Sequence, residues 1–150
     1  MDFASFLLGL HNLTRWLIIL AGIIALVTMF TGLGGRRFGP GDRRAGLIYT
    51  IVLDVQLLIG LVLYGVSPFM KGLMQNMGEA MSDSGARFFL VEHAVLMVLA
   101  IVAAHVGTAL ARNANLPDRT RFMRGAIFYV ISLVLVFAAI PWDRSFLPWA

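Results

Sequence analysis

The stretch Arg87–Gly107, RFFLVEHAVLMVLAIVAAHVG, decides how the rest of the chain is read. It has the length of a bilayer crossing, which takes about 20 apolar residues. Yet it holds Glu92, His93 and His105. An ionisable side chain at membrane depth is costly, so it faces a partner, a cavity or a cofactor. Three further apolar runs surround this one in the sequence, and function turns on what these side chains meet.

Composition supports a membrane reading. The 150 residues are 59% hydrophobic, with a mean hydropathy of +0.84. Such a chain has too little polar surface to cover a soluble core, and its apolar runs leave no room for a separate soluble domain. The expected fold is all-α: a four-transmembrane-helix bundle, one integral membrane domain, with spans at about 11–33, 47–66, 88–110 and 126–140. The N-terminal MDFASFLLGLHNLTRW lacks a basic region and a small-residue cleavage pattern, which predicts a retained first helix rather than a cleaved signal.

The first loop, GGRRFGPGDRRAG, carries Arg36, Arg37, Arg43 and Arg44; the third carries Arg112, Arg119, Arg121 and Arg124. Together they hold eight of the twelve Lys and Arg residues. The net charge of +4 is therefore explained by topology, and no nucleic-acid partner is expected. The positive-inside rule puts both loops in the cytoplasm and both termini outside, in a multi-pass membrane protein. Trp142 and Trp149 suit the outer interfacial belt.

Between spans two and three, FMKGLMQNMGEAMSDSGA predicts a short interfacial segment. Met70, Met74, Met77 and Met81 recur at helical spacing, suiting either packing or a soft copper(I) site. The absence of cysteine excludes disulfides, thiolate metal centres, iron–sulfur clusters and covalent haem attachment. GLGG at 32–35 lacks the lysine of a phosphate loop, and no Ser–His–acid order suggests a hydrolase.

Two constellations remain. His11 and His93 begin spans of the same direction, near the outer rim. Two imidazoles on different helices at one depth can hold a b-type haem iron from both sides. Arg15 and Arg87 then suit propionates, Glu92 offers an acceptor for an imidazole, and Gly60, Gly65, Ala138 and Ala139 leave space. The same residues equally suit a polar cluster that pins helices together. Asp54 and His105 form the second pair, matched in depth toward the inner side. It fits a proton or quinone site, or a self-satisfied interhelical hydrogen bond.

HNLTRW at His11–Trp16, DVQLLIG at Asp54–Gly60, DSGARFFLVEH at Asp83–His93 and IPW at Ile140–Trp142 carry a resemblance. The chain resembles, over nearly its whole length, small four-helix bacterial membrane proteins frequent in Bacteroidetes and often labelled "cytochrome B". Its most specific parts are the H-x-x-x-R-W start and the R-F-x-x-V-E-H entry to the third span. The resemblance implies a b-type haem, or a place beside respiratory electron carriers, with His11, Arg15, Arg87, Glu92 and His93 as the matching positions. Where relatives often have histidine, this chain has Asp54.

Three functions follow as expectations. The first is a subunit of a respiratory or photosynthetic electron-transfer complex, carrying or flanking haem b and exchanging electrons with quinone or a partner subunit. The second is a cofactor-free structural or assembly subunit that binds lipid or quinone. The third is a copper-handling protein. In each, a non-catalytic or electron-transfer subunit is expected rather than a free-standing enzyme.

Overall fold

The computed structural model describes residues 2–144, so Trp149 lies outside the described residues. Among the described residues the regular structure is helical throughout. Helix α1 spans Phe3–Gly32, α2 Pro40–Val66, α3 Pro68–Gln75, α4 Met77–Ser82 and α5 Ser84–Arg87. A π-helical turn, Phe88–Glu92, leads into α6, His93–Arg112; α7 is Asp118–Ala139. Four apolar helices are long enough to cross a membrane: α1, α2, α7 and the continuous stretch Ser84–Arg112. This is the expected four-span bundle with an interfacial segment between the second and third spans.

The helices overrun the apolar runs because capping, not hydropathy, stops a helix. Asp2 accepts from the Ser5 amide at 2.7 Å, so α1 begins well before His11. Pro40 opens α2 with a φ already suited to helix, and the Asp42 carboxylate accepts from the Gly39 amide at 2.7 Å. Ser67-Pro68 ends α2, since proline excludes the residue before it from the helical region.

The spans pack as a ring in the order α1, α2, α6, α7, so that α1 faces α6 and α2 faces α7 across the centre. The core is built from Ile18, Met29, Tyr49, Leu53, Phe122 and Tyr129, with alanines and glycines between them. Small residues let membrane helices approach closely. The buried polar groups join helices: Tyr49 shares a hydrogen bond with Ser132 at 2.7 Å, and Ser132 donates to the Ala100 carbonyl at 2.8 Å.

The arginines of the first and third connections also make specific contacts. Arg36 pairs with Asp42 at 2.6 Å, which holds its guanidinium further into the charged range, and lies over the Phe122 ring at 4.7 Å. Arg121 is buried. It donates to the Ala111 carbonyl at 2.8 Å near the end of α6 and stacks on Phe38 at 4.0 Å. These contacts tie the first connection to the start of α7 and place both arginine-rich connections at one end of the bundle.

At the opposite end the methionine segment departs from the single stripe its spacing suggests. Asn76 leaves helical geometry, with φ −117° and ψ 49°, and divides the segment into α3 and α4. Met70 is buried beside Ala80 and Leu90, whereas Met74, Met77 and Met81 are exposed. The interruption of the helix at Asn76, between Met74 and Met77, removes the common helical face on which that stripe depended.

Candidate functional site

Packing brings His11 and His93 together across the centre of the bundle, at the end away from the arginine-rich connections. Their ring centroids are 6.1 Å apart and their planes are inclined by 60°. One metal ion bound by two imidazole nitrogens, each at about 2 Å, sets ring centroids about 6 Å apart. All four spans contribute to this place: His11 from α1, Gly60 from α2, His93 from α6 and Ala139 from α7.

Each ring is held differently. His93 Nδ1 is 2.7 Å from the Ala139 carbonyl oxygen, a contact that makes this nitrogen the donor and, in the neutral ring, Nε2 the acceptor. His11 Nδ1 is buried and has no hydrogen-bond partner among the described residues. Gly60 lies beside it; a methyl group there would sit 3.4 Å from His11 Cε1. A larger residue at 60 would crowd the imidazole, so glycine makes room for it.

The π-helical turn sets the direction of His93. The His93 amide bonds back to the Phe88 carbonyl, five residues earlier, and the extra residue delays rotation about the helix axis. Tyr64 of α2 donates to the Leu90 carbonyl inside this turn. Glu92 is thereby turned outward, where it accepts from Arg87 Nε at 2.8 Å. The acceptor for His93 is thus a backbone carbonyl on α7, not the neighbouring Glu92. Arg87 also donates to the Met81 carbonyl at 3.3 Å. Arg15 is buried one turn from His11, with its guanidinium 5.7 Å from the Trp16 ring.

Gln56 acquires a role that its place in an apolar run signalled without defining. Its side chain is 5% exposed. Its amide nitrogen donates to the His11 carbonyl at 3.0 Å, and its oxygen accepts from the Thr14 hydroxyl. This fastens α2 to the turn of α1 that carries His11.

Asp54 and His105 also meet: His105 Nε2 is 2.9 Å from Asp54 Oδ1. The side chains are 46% and 50% exposed, on the outer surface where α2 adjoins α6. Among the described residues no group of three or more His, Cys, Asp or Glu side chains converges on a metal position. The histidine pair by itself offers too few ligands for a structural zinc ion, which takes four. Two axial imidazoles suffice only for a metal that brings its other ligands with it.

No family model matches the chain, and neither the curated proteins nor the solved structures contain a match. What stands, from helix length and composition, is a small all-α protein with four apolar helices of membrane-spanning length.

Proposed function

We propose that this chain is a structural and assembly subunit of a larger membrane complex, seated among neighbouring membrane helices. The observation that carries this reading is the Asp54–His105 pair. It stands half exposed on the outer face of the bundle, at a level where bare lipid supplies neither donor nor acceptor. A protein neighbour satisfies it. The interior polar groups suit the same role, since Gln56, Thr14, Tyr49 and Ser132 are engaged in fastening one span to another.

A second reading rests on a separate observation, the 6.1 Å approach of His11 and His93. That separation and the partnerless His11 Nδ1 would suit two imidazoles holding the iron of a b-type haem. His11 and His93 would hold the iron, and the haem would supply one-electron transfer between neighbouring carriers such as quinone or a partner subunit. Ala139 orients His93 through its carbonyl. Arg15 and Arg87 lie near enough in sequence to the two rings to meet propionates. Arg87 would have to leave Glu92 to do so.

One experiment separates the two. The chain is purified with its native complex, and a reduced-minus-oxidised visible spectrum and a pyridine haemochrome assay are recorded. The assembly reading expects co-purifying membrane subunits and no b-type band assignable to this chain. The haem reading expects a band that disappears in both His11→Ala and His93→Ala while membrane insertion persists. A band that survives His93→Ala would eliminate the axial-ligand assignment.

The arginine distribution supports an orientation with both arginine-rich connections in the cytoplasm and the methionine segment outside. In cells, Lys71→Cys should then react with a membrane-impermeant maleimide, and Ala114→Cys should react only after permeabilisation. The reverse pattern would invert this topology.

A further inference from the structure

Asp54 stands midway along α2, about 15 Å from the arginines at 43 and 44 at 1.5 Å per residue. His105 precedes Arg112 on α6 by about 10 Å. Their 2.9 Å contact fixes both at one depth. That contact uses Oδ1 of the carboxylate and Nε2 of the ring. Oδ2 and Nδ1 take no hydrogen bond from the described residues. The side chains flanking the pair on this face are apolar and exposed: Ile51 and Leu58 on α2, Val98 and Val102 on α6.

We propose that this α2–α6 face docks against the same face of a second copy, about a two-fold axis along the membrane normal. The two Asp54–His105 pairs then close into one four-membered ring. This rests on the reading that protein covers the face, and it names that protein.

Self-complementarity is the argument. A two-fold axis along the normal places α2 of one copy opposite α6 of the other. Because Asp54 and His105 share one depth, Asp54 of each copy meets His105 of the other at that same depth. A protonated imidazole donates from both nitrogens: Nε2 to the carboxylate of its own chain, Nδ1 to the carboxylate of the second copy. Every oxygen of the two carboxylates then accepts one bond, and the ring is neutral. Such a polar group within an apolar helix face also sets register, since sliding by one turn would set these groups against Leu58 or Val102.

The chain has no cysteine, so Ala114→Cys on an exposed connection accepts one fluorophore. Purified protein is reconstituted into liposomes over a range of dilutions, and photobleaching steps are counted. Two-step spots are expected for the parent. Asp54→Leu and His105→Leu should each weaken dimerisation about tenfold. The exchange Asp54→His/His105→Asp should restore two-step spots, because the swapped pair is again self-complementary. A parent that bleaches in single steps at every dilution overturns the proposal. Undiminished dimerisation of Asp54→Leu overturns it too, as does a monomeric parent whose face is filled by an added quinone analogue. Co-purification with other membrane subunits is read separately, so the assembly role can survive the loss of the dimer.

Discussion

Gly107→Ala is expected to destabilise the bundle by about 1–3 kcal/mol, the cost of overpacking a well-filled interior. A Cβ at this position would lie 2.8 Å from Phe128 Cβ and 3.1 Å from the Tyr129 ring. Phe128 Cβ is attached directly to the backbone, so no side-chain rotation relieves the clash. Helices α6 and α7 must move apart instead. Tyr129 resists that movement because its hydroxyl lies 2.9 Å from Thr108 Oγ1 and fills the space above Gly46. Gly65→Ala is the control: nothing lies within 4 Å of a Cβ there, and alanine favours helix. Reversible unfolding in bicelles should show a clear loss for Gly107→Ala and none for Gly65→Ala. Equal stabilities of the two variants would mean that α6 and α7 are not so close.

Thr14→Val should cost more than Gln56→Leu, although both cut the Thr14–Gln56 hydrogen bond and Gln56→Leu also removes the one to the His11 carbonyl. Without Gln56, the Thr14 hydroxyl turns to the Leu10 carbonyl at 3.0 Å or the His11 carbonyl at 3.2 Å and remains satisfied. Without Thr14, the buried Gln56 oxygen keeps no donor among the described residues. An orphaned buried polar group costs about 1–3 kcal/mol, against roughly 0.6 kcal/mol for each of the two interhelical hydrogen bonds lost with Gln56. The double variant Thr14→Val/Gln56→Leu removes both groups. It should therefore be more stable than Thr14→Val alone. A strictly additive cycle would show that the two side chains do not meet in the membrane.

Much of the architecture was legible in the sequence because it depends on local quantities. Hydrocarbon thickness sets the length of an apolar run, so four runs gave four spanning helices. Proline at 68 marked a helix boundary for reasons internal to proline, whereas Pro40, read as part of the first loop, opens α2 in the structure. Matching depths along helices of known rise brought His11 toward His93 and Asp54 toward His105.

Azimuth around each helix was not legible. Depth is a sum over residues, but the direction of a side chain depends on the neighbours its helix acquires and on each local change of winding. The π-helical turn at Phe88–Glu92 illustrates this. Its extra residue sends Glu92 outward to Arg87 and His93 inward to the Ala139 carbonyl. Arg121 shows it again, as an arginine counted with the loop charges that is buried against α6.

The sequence by itself determined the number of spans, where each long helix ends to within two residues, the gathering of the arginines in two connections and the pairing of ionisable groups by depth. Hydrophobic length, proline geometry and helical rise act along the chain and need no tertiary contact. Only the tertiary structure decided that the histidine pair faces the centre of the bundle while Asp54 and His105 face away from it. That choice follows from which helices are neighbours and how each is turned, and close packing settles both for all four spans at once.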